Sequence, residues 1–105
     1  MQEQAPELLR YFEALASDKR LQILEWLRDP VANFRPQVDG DLVKDGVCGL
    51  LIAEKLNISQ STTSRHMKQL VDAGLVRGKR IKQWTFYQRN ETAIREMKQR
   101  IKSGM

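Results

Sequence analysis

The amino-acid sequence predicts a mainly α domain of about five helices with a small two-stranded β-hairpin near its C-terminal end. Three observations predict it. Apolar residues recur at helical spacing in five segments, each bounded by a capping or breaking residue. Between Leu75 and Gln88 the pattern changes to β-branched and aromatic residues, which suit a pleated sheet. A chain of 105 residues with 41% hydrophobic and 30% charged content suits one modest core, so residues 1–105 are read as a single domain.

The first helix is expected over Pro6 to Ala16, "PELLRYFEALA", where Leu8, Leu9, Phe12, Leu15 and Ala16 share a face and Pro6 suits the first turn. Ser17 reads as the N-cap of a second helix, about Asp18 to Arg28, in which Leu21, Ile23, Leu24, Trp26 and Leu27 give a largely buried surface. Asp29-Pro30 closes it, because the proline ring disfavours helix at the residue before it. Val31 to Gly46, "VANFRPQVDGDLVKDG", has no sustained period and reads as a long loop. With Phe34 and three aspartates it either shapes an effector pocket or is a surface excursion. Cys48 to Leu56, "CGLLIAEKL", resumes a helix, and Asn57 suits the left-handed turn that ends it.

The next segment, "NISQSTTSRHMKQ", is rich in hydroxyls, which compete with a helix for backbone hydrogen bonds. It nevertheless carries Thr63, Met67, Leu70 and Val71 at i, i+4, i+7 and i+8, one apolar stripe. Ser59 is placed to cap this helix and Gly74 to end it. The hairpin follows as "LVRGKRI" and "WTFYQ" around a Lys82-Gln83 turn, with Trp84 and Phe86 on one face. Asn90 reads as the cap of a last helix, Glu91 to Ile101, with a narrow seam of Ile94, Met97 and Ile101.

Helix, three-residue turn, polar-faced helix is the pattern of a helix-turn-helix, whose second helix enters a DNA major groove. Here the residues pointing away from the stripe are Gln60, Ser61, Thr62, Ser64, Arg65 and Lys68. Gln can pair with adenine edges, Arg with guanine, and Ser or Thr with bases or phosphate. The hairpin supplies a wing bearing Arg77, Lys79, Arg80 and Lys82. Charge agrees in location. The whole chain is +5, yet Gln60 to Arg89 holds seven basic residues and one acid, Asp72. That is the electrostatic footprint of a nucleic-acid surface, or else a solvated basic face. The hairpin aromatics raise a competing reading, base stacking on single strands.

The blocks "ALASDKRLQILEWL", "IAEKLNISQSTTSRHMKQLVDAGLVRGKR" and "WTFYQ" resemble the arsenical-resistance-type (ArsR) family of bacterial winged helix-turn-helix regulators. The resemblance covers most of the chain outside the Val31–Gly46 loop. It implies a homodimeric repressor of double-stranded DNA, in which the first and last helices of two protomers pair. It places Gln60, Ser61, Thr62, Ser64, Arg65, Lys68, Arg80 and Lys82 on DNA. Leu8, Phe12, Ile94, Met97 and Ile101 are expected to form the dimer interface, because the seam is too narrow to be buried within one chain. Two-fold symmetry then calls for a pseudo-palindromic operator with half-sites about 34–36 Å apart.

Many members of that family sense metals through a cysteine pair before the turn, or through His and carboxylates on the last helix. Here "GVCGL" keeps only Cys48, and the last helix has no histidine. Soft metals want three or four such ligands, so neither metal site nor cofactor is expected, and the effector is left unassigned. Cys48 is either a small buried apolar side chain or a redox-responsive thiol. The single histidine, His66, is read as a phosphate neighbour or a structural residue. A lone cysteine fits a reducing compartment, and no apolar run approaches a membrane span, so a cytoplasmic location is expected. Nothing has the spacing of a catalytic constellation, and an enzyme is not expected; a protein-interaction module on the same scaffold is the alternative.

Overall fold

The computed structural model describes the backbone of residues 4–104 and the side chains of residues 7–104. The described elements are six helices and three short strands: α1 (Gln4–Leu15), α2 (Asp18–Arg28), α3 (Pro30–Asn33), β1 (Val47–Cys48), α4 (Gly49–Leu56), α5 (Gln60–Asp72), β2 (Val76–Ile81), β3 (Trp84–Arg89) and α6 (Glu91–Gly104). The fold is a winged helix-turn-helix, with α4 and α5 as the helical pair and β2–β3 as the wing. Pro6 falls in the first turn of α1, and its side chain lies outside the described residues. No described helix is long and apolar enough to cross a membrane.

Local chemistry sets most boundaries. The Arg20 backbone N–H donates to Ser17 Oγ at 3.2 Å, which caps α2. Asn57 adopts φ 58° at the end of α4, where Ile58 N–H reaches Ala53 O and Asn57 N–H reaches Glu54 O. This pair of bonds satisfies two carbonyls that the helix end would leave orphaned. The same motif closes α5, with Leu75 N–H on Leu70 O and Gly74 N–H on Val71 O. Gly74 sits at φ 79°, a conformation that disfavours a Cβ.

Four local expectations are corrected. The loop is shorter than Val31–Gly46, because Asp29 caps a new turn of helix, accepting from Ala32 N–H at 3.3 Å, with Pro30 at the first position. Pro30 therefore both ends α2 and starts α3. Cys48 is not inside a helix but belongs to β1, and the sheet has three strands, not two, in the order β1-β3-β2. All pairs are antiparallel, with Val47 opposite Tyr87 and Cys48 opposite Phe86. Gly46 leads into β1 at φ +110°, where an added Cβ would stand 2.6 Å from the Tyr87 carbonyl oxygen. Val71 does not join the apolar stripe of α5; it is exposed.

One core joins all layers: Ile23 and Leu27 of α2, Leu51 and Ile52 of α4, Met67 and Leu70 of α5, and Phe86 of β3. Complete burial of a side chain such as Phe86, 1% exposed, contributes about 2–3 kcal/mol. Ile94 and Met97 join this core at 5% and 6% exposure. Two of the three α6 seam residues are thus covered within the protomer, contrary to the expectation that the seam needed a partner for burial. On α1 it is Leu9 and Phe12 that remain open, at 56% and 40%. Leu8 and Ile101 are half-buried. Arg100 of α6 reaches Glu7 of α1 at 2.8 Å, tying the two terminal helices together.

Candidate nucleic-acid interface

The outer face of α5 is set by its cap. Ser59 Oγ accepts from Thr62 N–H at 3.1 Å, and the buried Thr63 hydroxyl donates to Ser59 O at 2.9 Å. Those bonds absorb two of the hydroxyls that propensity counts against a helix. Thr63, Met67 and Leu70 lock the inner face. Gln60, Ser61, Ser64, Arg65 and Lys68 are then exposed together, as expected, while Thr62 is partly covered and its Oγ1 accepts from Ser59 Oγ. Lys68 pairs with Asp72 one turn on, at 3.0 Å. Among the described residues Arg65 makes no ion pair, which leaves its guanidinium free for a guanine edge or a phosphate.

The wing closes through a two-residue turn, with Ile81 opposite Trp84 and Lys82 at φ 56°. Arg80 Nε contacts only the Lys82 carbonyl, at 3.4 Å, among the described residues. Its lysine neighbours are engaged. Lys79 Nζ lies 2.6 Å from Asp45 and Lys82 Nζ lies 3.0 Å from Asp39. Both acids come from the loop between α3 and β1, which sequence reasoning left unassigned. The loop is stitched down: Gln37 Nε2 donates to Gly46 O at 2.7 Å, and Cys48 N–H donates to Gln37 Oε1 at 3.1 Å. Asp41 accepts from the backbone N–H groups of Val43 and Lys44. The Lys79 hydrogen bond, then the Asp41 backbone N–H, hold the Asp45 carboxyl below its ordinary range. Two of the wing's four cations thus begin with an internal counter-charge.

The remaining basic residues of this third of the chain divide. Arg77 donates to Asn90 Oδ1 at 3.3 Å, beside the cap that Asn90 gives α6 through Ala93 N–H. Arg89 turns inward to Leu24 O at 3.1 Å and anchors β3 to α2. The aromatics are inside as well: Phe86 is buried, and Trp84 and Tyr87 are half-buried. Burial pushes the Tyr87 phenol up. Phe86 is therefore closed to stacking on single-stranded bases, and Trp84 and Tyr87 are half-covered.

His66 does not stand on the outer face as a phosphate neighbour. Its Nδ1 lies 3.0 Å from Arg20 Nη1, so it is tied to α2, and sequence reasoning gave no sign of that contact. Cys48 is buried, at 9% exposure. It lines a cavity of about 170 Å³ between α5 and the wing and an apolar one of about 210 Å³ beneath the loop. Among the described residues no three His, Cys, Asp or Glu side chains gather as a metal would need.

Comparison with known proteins points the same way as this geometry. Residues 48–77, from β1 through α4 and α5 into β2, match the family described as "Bacterial regulatory protein, arsR family". The chain is 39% identical over 97 residues to the uncharacterized HTH-type transcriptional regulator YbzH of Bacillus subtilis, which spans 92% of this chain and 97% of that protein. Two solved structures share the fold at lower identity. One is an ArsR-like transcriptional regulator from Rhodococcus, with TM-score 0.70, 18% identity, and coverage of 98% of this chain and 81% of that one. The other is the homodimeric winged helix-turn-helix DNA-binding domain of Mb0332 from Mycobacterium bovis, with TM-score 0.66, 23% identity, and coverage of 92% and 77%. A capped polar helix beside a cationic wing agrees with that likeness, and with a relative this similar over nearly the whole chain the protein belongs to the ArsR family of bacterial helix-turn-helix transcriptional regulators.

Proposed function

We propose that this regulator is a homodimeric repressor that binds a pseudo-palindromic duplex operator, with α5 in the major groove and the wing on the flanking backbone. The observation that carries it is the exposed group of Gln60, Ser61, Ser64, Arg65 and Lys68 on one side of a helix whose other side is locked into the core. In this reading Gln60, Ser61, Ser64 and Arg65 meet base edges, Thr62 and Lys68 meet phosphates, and Arg80 and Lys82 clamp the backbone from the wing. Dimerisation is supported by the open apolar side chains of α1, and by a homodimeric neighbour of the same fold. Leu9 and Phe12 lead the interface, and Leu8 and Ile101 support it; Ile94 and Met97 act from beneath. Selection of bound sites from randomised duplex tests the proposal. Enrichment of two inverted half-sites about 34–36 Å apart supports it, and recovery of a single unpaired half-site removes the dimer.

A further inference from the structure

Arg20 is the one charged side chain in the described core, at 9% exposure. A buried guanidinium is costly unless its donors are satisfied. Arg20 Nε donates to Ala14 O at 2.7 Å and Nη2 donates to Glu13 O at 2.9 Å. Both carbonyls belong to the last turn of α1, where a helix leaves its acceptors orphaned and its dipole negative. That turn carries no basic residue of its own. The third donor, Nη1, faces His66 Nδ1 at 3.0 Å, 46 positions away on α5. Since a guanidinium can only donate, His66 must accept, so its ring is neutral with the proton on Nε2.

We infer that Arg20 is a positioning residue for DNA reading: through His66 it fixes the rotation of α5 about its own axis relative to α1 and α2. The inference rests on the DNA-reading role of α5 and deepens it. The stripe of Thr63, Met67 and Leu70 packs α5 on the core and limits its rolling by shape alone, with no directional bond to α1 or α2. A hydrogen bond at the edge of that stripe is directional. A roll of about 20° would carry side-chain tips some 5–6 Å from the helix axis by about 2 Å. That displacement is enough to break a hydrogen bond to a base edge. Arg20 also touches the end of α1, so the proposed dimer helix and the reading helix are held by a single side chain.

The link depends on a neutral imidazole. Among the described residues, the charged groups that act on His66 are Arg20, Lys19 and Asp18 of α2. Burial, then Arg20 and Lys19, lower its pKa from the ordinary 6.5, while Asp18 opposes them. His66 is the only histidine in the chain, so few other groups ordinarily titrate between pH 5 and 7.

The test uses the full chain, the operator duplex recovered by selection, and a random duplex of equal length. The readout is the ratio of the two Kd values as a function of pH, beside a ¹⁵N NMR titration of the His66 ring. The expected result is that the wild-type ratio falls by about tenfold, the equivalent of one base contact, at the pH where the ring protonates. His66→Asn, whose Oδ1 replaces the acceptor without titrating, keeps the ratio flat. His66→Leu and Arg20→Lys have a low ratio at every pH with random-duplex affinity unchanged, an outcome that a merely structural role would not give. Equal discrimination by folded His66→Leu and wild type, or a ring proton on Nδ1, overturns the inference alone. A wild-type protein that binds no duplex overturns the DNA reading itself and takes the inference with it.

Discussion

Neutralising Asp39 and Asp45 together, as Asp39→Asn and Asp45→Asn, should strengthen DNA binding and make it more sensitive to salt. Lys79 and Lys82 already hold these carboxylates at 2.6 and 3.0 Å. A phosphate that takes either lysine frees an aspartate, and that aspartate recruits its own cation from solution. The net release of counterions is therefore close to nil for both lysines, whichever anion wins. With amides in place of the acids, each phosphate contact counts in full, at a slope of about −0.9 per contact in log K against log salt. Two contacts steepen the slope by about 1.8. The affinity advantage of the double variant should thus grow about twelvefold between 200 and 50 mM salt. Fluorescence anisotropy on a labelled duplex across that range reads it directly. A double variant with the slope and affinity of the wild type would refute the reasoning, since the acids would then not compete with DNA at all.

Further predictions concern the helix, the interface and the core. Arg65→Ala should relax sequence preference at one base pair, by about 1–3 kcal/mol if its contact is bidentate. Arg80→Ala should weaken all duplexes alike; competition binding on base-substituted sites separates the two. Met97→Ala should cost about 3 kcal/mol and lower the Tm by roughly 15 °C, because the side chain is in the protomer core. Phe12→Lys should instead give a folded monomer by analytical ultracentrifugation, and an unchanged dimer would place the interface elsewhere. Because the folded state holds the His66 pKa below 6.5, the unfolded chain takes up the proton first. The contribution is whole above pH 6.5 and shrinks as pH falls. The urea midpoint should therefore drop between pH 7 and 5.5, and should drop less in His66→Asn.

Much of the fold was legible because its boundaries are local. Ser17, Asn57, Ser59, Gly74 and Asn90 each act within four residues of themselves, and short-range chemistry can be read from short strings. The elements that were not legible depend on distant partners. β1 has two residues and no period, and only its register against Tyr87 and Phe86 makes it a strand. The seam of α6 looks the same whether the surface opposite is a second chain or the protomer's own core, so its sequence alone does not tell Ile94 and Met97 inward from outward. In the candidate site, the outer face of α5 followed from its stripe. The carboxylates on Lys79 and Lys82 lie 34 and 43 positions away, and Arg20 meets His66 across 46. No spacing rule connects such pairs.

The claim on which the account rests is that the outer face of α5 and the wing meet duplex DNA. Titrating the ¹⁵N-labelled protein with the selected duplex at about 50 mM salt, and following backbone amide shifts, tests it at the level of residues. The account predicts the largest shifts from Gln60 to Lys68 and around Arg80 and Lys82, with little change at Ile23, Ile52 and Leu70. Shifts centred on another surface, or none at saturating DNA, would contradict it.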